Sequence, residues 1–219
     1  LRELDVPVRT GVDVTADTLR SYAPDVVVVA TGARPKPAPF DLSALDPRVL
    51  VCQAWDVLRD PAKLSSGAQV TIVGGGTVGL ETADLLTARG CRVTLIEVTG
   101  KVGEGMSKSN RMEVIERVRA AGARIETQAT ITAASGGQLT VTNNDGSIRT
   151  EPVGDCLVIA VGAQAERDAV PLIEATGVPY VLVGDACQPG DFMSAVRDGW
   201  MAGLAIGRYS GKHTPGPTA

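Results

Sequence analysis

Apolar runs alternate with segments of helical periodicity along most of the chain. Runs rich in Val, Leu and Ile, typical of strands buried on both faces of a sheet, occupy residues 26–30, 70–73, 93–96, 156–161 and 180–183. Helical spacing of apolar positions predicts helices at residues 78–88, 109–121 and 192–206, with a short helix at 53–59. The alternation predicts an α/β protein with parallel strands joined by helices.

Shorter β-prone pieces between residues 123 and 153 predict an antiparallel meander. They centre on residues 125, 131, 139–142 and 148, and the Asp-Gly pair at 145–146 is a strong hairpin-turn signal. The predicted fold class is therefore α/β, with a Rossmann-like parallel sheet, helices on one of its faces, an antiparallel β-meander on the other, and a partial second domain.

The remaining segments carry weaker patterns. Residues 1–24 predict the end of a helix, an extended segment at 6–14 and a short turn, while the proline-rich stretch 35–46 predicts a loop. The tail, residues 210–219, is rich in Gly, Pro and Thr and is expected to be flexible.

Composition excludes several classes of function. Of the 219 residues 44% are hydrophobic, and the net charge of −4 is spread over both signs, so we expect neither nucleic-acid nor membrane binding. No apolar run approaches the roughly 20 residues that span a bilayer. The first four residues, L-R-E-L, are neither a signal peptide nor an initiator Met. We therefore expect a cytoplasmic protein, and a piece of a longer one.

The four cysteines, Cys52, Cys91, Cys156 and Cys187, contain no C-x-x-C pair. Their spacing predicts neither a zinc ribbon nor an iron–sulfur cluster within this chain. Cys91 and Cys156 lie beside or within apolar strands, where we expect small buried residues. Cys187 follows a Gly-Asp pair in a predicted loop, and a reactive role for it is the weaker alternative.

No arrangement of residues predicts a catalytic acid or base. The sole histidine, His213, lies in the tail, and Tyr22, Tyr180 and Tyr209 have no partner pattern. No Ser-His-Asp or Cys-His constellation can be assembled. We expect a bound cofactor to supply the chemistry and the protein to supply binding and orientation.

The strongest motif is a glycine fingerprint, G-x-G-x-x-G, at residues 74–79. It follows the apolar run 70–73 directly and opens the predicted helix 78–88. The next apolar run ends in Glu97, roughly 20 residues after Gly76. Strand, glycine turn, helix, strand and terminal acid in one unit predict a dinucleotide-binding site.

Each part of the fingerprint has a physical reason. Gly74 permits the tight turn, Gly76 lets the backbone approach a pyrophosphate, and Gly79 lets the helix and strand pack closely. The helix N-terminus, at Thr77 and Val78, presents unpaired N–H groups to the phosphates.

The acid after the second strand predicts the choice of nucleotide. Glu97 can accept hydrogen bonds from a ribose diol and would repel a 2′-phosphate, so the sequence predicts NAD(H) rather than NADP(H). Lys101 could contact a phosphate, but a solvated loop lysine is the favoured interpretation.

Three separated motifs carry a resemblance to a known family. A-T-G at residues 30–32 ends a predicted strand, the fingerprint with Glu97 follows, and Gly184-Asp185 ends a late strand before a helix. In this order, with a meander between the second and third, they resemble the two-dinucleotide-binding-domain flavoproteins. In that superfamily an NAD(P)H domain is inserted into a discontinuous FAD domain.

Residues 11–15, 25–37, 74–79 and 183–206 are similar to the C-terminal region of the old-yellow-enzyme-related NADH:flavin oxidoreductases. That group includes 2,4-dienoyl-CoA reductase and trimethylamine dehydrogenase. The resemblance implies a fold of the FAD/NAD(P)-binding type. It places a partial FAD-binding domain at residues 1–50, an NAD(H)-binding domain at 51–165, the C-terminal part of the FAD-binding domain at 166–209 and a flexible tail at 210–219.

The resemblance also implies roles for single residues in the NAD site. Glu81 would lie near the nicotinamide end, although complementing the positive end of the helix dipole is an equal alternative. Gly162 is similar to a glycine whose backbone lines the nicotinamide pocket, and an ordinary turn at a strand end is as well supported.

Six further residues would contact FAD once its domain is complete. Thr31 and Gly32 resemble the segment that passes close to FAD. Asp185, next to Gly184, resembles the acid that hydrogen-bonds the ribityl hydroxyls of FAD. Met193 and Ser194 open the helix whose positive end would face the flavin pyrimidine ring and stabilise negative charge there. For the chain alone we expect no bound flavin.

Two departures from the family pattern bear on the organisation of the protein. The superfamily holds FAD with a second, N-terminal glycine fingerprint, whereas this sequence contains one. The family's N-terminal (β/α)8 barrel, with FMN and an iron–sulfur cluster, also has no counterpart in this sequence. We therefore expect a C-terminal fragment whose partners are that barrel and the other half of the FAD domain. Whether it forms a homo-oligomer stays open.

The predicted function is passage of hydride or electrons between NADH and FAD in the parent enzyme. The chain alone would bind NAD(H) or ADP without turnover. Two alternatives stay open, a non-catalytic scaffold that holds ADP in place of FAD and a standalone redox sensor. The substrate of the parent enzyme and the direction of electron flow are not predicted.

Overall fold

A computed structural model describes residues 2–206. The predicted flexible tail at residues 210–219, with His213, and also Tyr209 lie outside the described residues. In chain order the strands are β1 (Val27–Val29), β2 (Ala33–Pro35), β3 (Leu50–Gln53), β4 (Gln69–Val73), β5 (Arg92–Ile96), β6 (Arg124–Glu126), β7 (Ala129–Ser135), β8 (Gln138–Asn143), β9 (Ile148–Pro152), β10 (Cys156–Ile159), β11 (Ala163–Ala165) and β12 (Tyr180–Leu182). The α-helices are α1 (Ala16–Tyr22), α2 (Ala54–Arg59), α3 (Thr77–Ala88), α4 (Lys108–Ala120), α5 (Val170–Glu174) and α6 (Phe192–Ala205).

The chain forms two compact units. One is continuous, Pro35–Ala163, and the other consists of the described residues before Pro35 and after Ala163. The sequence placed the first boundary after residue 50, whereas in the structure residues 35–50 belong to the continuous unit. The physical reason is packing, because Leu42, Leu45 and Val49 pack against the core of that unit. We call Pro35–Ala163 the inserted unit and the rest the flanking unit.

A five-stranded parallel sheet forms the centre of the inserted unit. Its strand order is β3-β10-β4-β5-β6. Val73 is in register with Ile96 on one side and with Ile159 on the other, so the carboxyl ends of β4, β5 and β10 are level. Residues that follow these three strands therefore meet at one edge of the sheet, where ligands bind in open α/β sheets.

The two faces of this sheet are covered by different layers, as the sequence predicts. Side chains that alternate along the strands divide between them. Val70, Ile72 and Leu95 belong to a core shared with helices α2, α3 and α4. Val73 and Ile159 belong to a second core shared with β7, β8 and Val153, the residue that follows β9. Helices on one face and a β-meander on the other are thus confirmed.

The meander differs from the prediction at its start. Ile125 lies in β6, which pairs in parallel with β5 and extends the main sheet, so its assignment to the meander is wrong. A three-residue strand with one apolar position gives no periodicity that separates parallel from antiparallel pairing. The antiparallel sheet contains β7, β8 and β9 only. Its predicted hairpin at residues 144–147 is present, closed by a hydrogen bond from the Asn143 N–H to the Ser147 carbonyl at 2.9 Å.

The flanking unit contains a parallel pair, β1 and β12, with Val27 in register with Tyr180. Leu19, Ile173 and Tyr180 pack on one side of the pair, and Ala202 of α6 packs with Val181 on the other. Helix α1 replaces the predicted turn, because the Thr15 side chain accepts a hydrogen bond from the Thr18 N–H and caps it. Helix α5 and strands β2, β3 and β11 are short elements that the apolar pattern did not predict. Among residues 2–206, no helix has the length and hydropathy of a membrane span.

Candidate functional site

The glycine turn between β4 and α3 has the backbone geometry that the fingerprint requires. Gly74 has φ +97°, a left-handed conformation, and a Cβ there would overlap the Ala160 carbonyl. A Cβ at Gly79 would overlap the carbonyl of Gly74. Beyond its chain neighbours, a Cβ at Gly76 would meet no atom of the described residues within 4 Å. The turn is therefore tightly packed at its first and third glycines and open at its second.

Helix α3 begins directly after this open glycine. Gly76 is its N-cap, and among the described residues no side chain hydrogen-bonds to that end. The N–H groups of the first turn, which include Thr77 and Val78, have no acceptor within a helix. Together with the helix dipole they provide a site for an anion such as a pyrophosphate. Glu81, one turn further along, is exposed.

The loop that follows β5 packs against the fingerprint turn. The Gly103 N–H donates to the Gly75 carbonyl at 2.6 Å, and the Thr77 hydroxyl donates to the Glu104 carbonyl at 2.9 Å. The Thr77 hydroxyl is thus already hydrogen-bonded to the loop, so the backbone N–H of Thr77 is the group that can bind a phosphate. The sequence predicts a glycine-containing loop at residues 101–108, but sequence reasoning missed its contact with the fingerprint turn. The glycines at positions 103 and 105, both with positive φ, are the signal that could have marked it.

Glu97 directly follows β5 beside the same turn, where the residue is only 7% exposed. One carboxylate oxygen accepts a hydrogen bond from the Gly75 N–H at 2.5 Å, and the other accepts from the Thr99 N–H at 2.7 Å. Each oxygen has further acceptor capacity, because a carboxylate offers about four lone-pair sites. The carboxylate is therefore held in place by backbone groups and can still accept from the two hydroxyls of a ribose.

Two other predicted residues of the inserted unit lie at this edge of the sheet. Gly162 follows β10, has φ +91° and accepts a hydrogen bond from the Lys36 N–H through its carbonyl at 3.0 Å. Lys101 is exposed, and its carbonyl accepts from the Thr99 hydroxyl at 2.9 Å. The backbone of Lys101 therefore belongs to the turn after Glu97.

The flanking unit contains a cleft of about 380 Å³. Its lining residues are Ala30, Gly32, Val183, Gly184, Asp185, Gly190, Asp191, Phe192 and Ala195. Of the six residues predicted to contact FAD, the cleft brings together Gly32, Gly184 and Asp185. Thr31, Met193 and Ser194 are not among the lining residues. The segment 190–192 was missed by sequence reasoning, although Gly190-Asp191 directly before a helix is a recognisable capping signal.

Hydrogen bonds fix the polar groups around this cleft. Asp185 accepts from the Gly190 N–H at 3.0 Å, which leaves acceptor capacity on its carboxylate for ligand hydroxyls. Asp191 and Ser194 form a capping box at the start of α6. Hydrogen bonds from the Ser194 N–H and hydroxyl lower the pKa of Asp191, so this carboxylate is ionised at neutral pH. The Thr31 hydroxyl donates to the Glu166 carbonyl at 2.5 Å.

The residues present fit a flavin in three respects. Gly32 and Gly184 line the cleft with backbone, so a planar or extended ligand can approach closely. The Asp185 carboxylate can accept from polyol hydroxyls. Helix α6 begins at the cleft with Phe192, and its positive end suits a ring on which negative charge develops.

Three of the cysteines and Tyr180 take structural positions. Cys156 is fully buried, and its Sγ lies 3.4 Å from the Sγ of Cys52 in the adjacent strand. The hydrogen bond from the Cys156 thiol lowers the pKa of Cys52, and the same contact together with burial raises the pKa of Cys156. Burial likewise raises the pKa of Cys91. The Tyr180 hydroxyl donates to the Glu174 carboxylate at 2.8 Å, a partner that the sequence did not suggest.

This arrangement belongs to a known protein family. Residues 5–188 match the family described as pyridine nucleotide-disulphide oxidoreductase. The chain belongs to this family. Pyridine nucleotide-disulphide oxidoreductases are redox flavoproteins, so membership implies binding of FAD and of a pyridine nucleotide.

Individual relatives agree with this assignment. The chain is 29% identical over 210 residues to an NADH oxidase of Thermoanaerobacter brockii, covering 94% of this chain and 32% of that protein. It is 32% identical over 203 residues to a bilirubin reductase of Mediterraneibacter gnavus, covering 92% of this chain and 31% of that protein. The chain therefore spans about a third of the length of these curated relatives.

A solved structure shows the same fold. Histamine dehydrogenase from Rhizobium sp. 4-9 superposes with a TM-score of 0.78 at 17% identity, over 94% of this chain and 34% of that chain. At this identity the likeness concerns the fold alone. The Rossmann-like parallel sheet with its meander, predicted from the apolar pattern, is thus a known arrangement.

Proposed function

We propose that this chain is the NAD(H)-binding part of an NADH-dependent flavin oxidoreductase, together with a portion of its FAD site. The proposal rests on two groups that lie at one edge of the sheet. One is the backbone of Gly76, beside which there is open space, and the other is the Glu97 carboxylate, which the Gly75 N–H holds in place. In this proposal NADH supplies a hydride and the flavin accepts it.

The inserted unit binds and orients the nucleotide in this proposal. The backbone at Gly76 and the first turn of α3 hold the pyrophosphate, and Glu97 holds the adenosine ribose. A 2′-phosphate would bring negative charge against the same carboxylate, so NADH is preferred over NADPH. Glu81 lies on α3 and Gly162 lies in the connection after β10, and we assign both to the nicotinamide end.

The flanking unit holds part of the flavin in this proposal. Gly32, Gly184 and Asp185 line its cleft, and the Asp185 carboxylate accepts from the ribityl hydroxyls. Thr31, Met193 and Ser194 support the same site through the turn after β1 and the start of α6. Among the described residues of this unit there is one parallel pair of strands, β1 and β12, so we propose that further polypeptide completes the FAD domain.

The parent protein is proposed to be of the old-yellow-enzyme-related type. The support is that the NADH oxidase and bilirubin reductase relatives are about three times as long as the region they share with this chain. FMN and an iron–sulfur cluster belong, in this proposal, to a barrel in that additional length. A cytoplasmic location is part of the same proposal.

The native protein, expressed from its complete gene, tests this proposal through the identity of its bound cofactors. We expect its visible spectrum to show flavin, and mass analysis of the released cofactors to include FAD. Release of ADP without FAD would contradict the redox proposal and support the scaffold alternative, in which the chain holds a nucleotide without catalysis.

A further inference from the structure

Two consecutive residues after β11 contact both backbone turns beside the cleft of the flanking unit. The first is Glu166, whose backbone N–H donates to the Gly32 carbonyl at 2.9 Å. Its backbone carbonyl accepts from the Thr31 hydroxyl at 2.5 Å. The turn after β1 is thus held by two main-chain groups of Glu166, its N–H and its carbonyl.

The second residue, Arg167, contacts the other turn. Its Nε donates to the Ala186 carbonyl at 2.9 Å, and its Nη2 donates to the Cys187 carbonyl. The two carbonyls belong to the last residue and the C-cap of the short 3-10 helix Gly184–Ala186. This helix contains Asp185, which is predicted to bind the ribityl hydroxyls. Two parallel N–H donors from one planar guanidinium hold two successive carbonyl groups.

The geometry suits arginine in particular. A guanidinium presents its donors in a rigid plane, whereas a lysine ammonium is a single point charge on a flexible stem. Hydrogen bonds from a charged donor are shorter and stronger than neutral ones. Ala186 is fully buried, so loss of Arg167 removes a partner from a carbonyl that the protein shields from water.

We propose that Arg167 is a positioning residue for the flavin site. It holds the Gly184–Ala186 turn so that the Asp185 carboxylate and the Gly184 backbone line the cleft. Arg167 is not among the cleft-lining residues, so it acts through the turn rather than by touching the ligand. The inference rests on the proposed function, because it requires that this cleft binds flavin.

Binding measurements on the native protein test the inference. Arg167→Met removes the guanidinium and keeps much of the side-chain length, and Arg167→Lys keeps the charge without the planar fork. Arg20→Met is the matched control, because Arg20 lies in the same unit and makes an exposed ion pair with Asp17. The dissociation constants for FAD, after removal and reloading of the flavin, and for NADH are measured for each variant, with thermal unfolding alongside.

We expect Arg167→Met to weaken FAD binding about tenfold and to shift the flavin absorption band, with unchanged NADH affinity. Arg167→Lys should fall between Arg167→Met and wild type, and Arg20→Met should match wild type. Unchanged FAD affinity in Arg167→Met would overturn the inference. Equal losses for FAD and NADH would overturn it in favour of a general structural role. Absence of FAD binding by the wild-type protein would instead overturn the proposed function.

Discussion

The Glu97 carboxylate accepts a hydrogen bond from the Gly75 N–H at 2.5 Å, which joins the end of β5 to the middle of the glycine turn. The carboxylate that the sequence assigns to the ribose therefore also stabilises the turn that would hold the pyrophosphate. The other oxygen of this carboxylate accepts a hydrogen bond from the Thr99 N–H, which fixes the Glu97 side chain. One side chain thus positions two parts of the proposed nucleotide site.

Glu97→Ala is expected to change both nucleotide affinity and nucleotide preference. The variant loses the ribose acceptor and leaves two backbone N–H groups without a charged partner, so NADH binding should weaken about tenfold or more. Removal of the negative charge should relax discrimination against NADPH. The ratio of the two dissociation constants is the decisive quantity, because damage to the turn alone would weaken both nucleotides equally.

Glu116→Ala is the matched control for this experiment, since Glu116 is an exposed glutamate on α4 of the same unit. It should leave both dissociation constants unchanged. An NADH to NADPH ratio in Glu97→Ala that equals the wild-type ratio would show that the ribose assignment is wrong.

Alanine substitutions at two glycines of the fingerprint should change different properties: one should lower the affinity for NADH and the other the stability of the fold. Gly76 has φ −61°, which alanine accepts, and its open side would be filled by a methyl group where the pyrophosphate is proposed to lie. Gly76→Ala should keep the wild-type unfolding temperature and weaken NADH binding about tenfold or more. Gly79→Ala should destabilise the protein by about 3 kcal/mol, because its Cβ overlaps the Gly74 carbonyl.

Thermal unfolding and NADH titration of both variants check this pair of outcomes. A Gly76→Ala variant that binds NADH like wild type would show that the pyrophosphate does not approach this glycine. A Gly79→Ala variant with wild-type stability would contradict the packing described for the turn.

Much of the inserted unit follows from the sequence. Strands β4, β5 and β10 are continuous apolar runs because they are buried on both faces, and such runs also reveal their parallel pairing. The glycine spacing predicts a turn whose atomic contacts the structure then shows at Gly74 and Gly79. Local pattern and tertiary packing agree at these positions, which is why the prediction holds there.

Other features depend on contacts between distant segments and leave no local pattern. Strand β6 contains Ile125 as its one apolar residue, so its parallel pairing with β5 comes from tertiary packing. The contact between Arg167 and the carbonyls of Ala186 and Cys187 joins residues about 20 positions apart, and an arginine in a loop predicts no partner by itself. The contact of the loop after β5 with Gly75 was missed for the same reason.

Cys52 is expected to be more reactive than the two buried cysteines. The Cys156 thiol lowers the pKa of Cys52 by donating a hydrogen bond. Burial raises the pKa of Cys91, and the contact with Cys52 together with burial raises the pKa of Cys156. Since the thiolate is the nucleophile, Cys52 should react with iodoacetamide at a lower pH and at a higher rate. Peptide mapping after timed alkylation between pH 6 and about 9 measures this order. Modification of Cys91 before Cys52 would contradict it.

The ion pairs between β6 and β9 should stabilise the inserted unit in a pH-dependent way. Arg124 and Arg149 both donate to Glu151, at 2.5 and 2.9 Å, and the Arg124 hydrogen bond lowers the pKa of Glu151 below its ordinary value of 4.5. A depressed folded-state pKa means that this stabilisation is complete above 4.5 and is lost as the pH falls through the lower, folded value.

Glu151→Gln should therefore unfold more easily than wild type at pH 7, by about 1 kcal/mol, with the difference shrinking in acid. Denaturant unfolding at several pH values gives this comparison. The control is Glu113→Gln, because the Glu113 side chain is 76% exposed and pairs weakly with Arg117. A difference between wild type and Glu151→Gln that stays constant below pH 4.5 would contradict the assigned ion pair.

The most direct test of the proposed function is anaerobic mixing of the native protein with NADH while the flavin absorption is recorded. Our account predicts that NADH bleaches the flavin band, that NADPH does so much more weakly, and that Gly76→Ala slows the reaction with NADH at subsaturating concentrations. A protein that contains FAD, binds NADH and keeps its flavin oxidised would contradict the account.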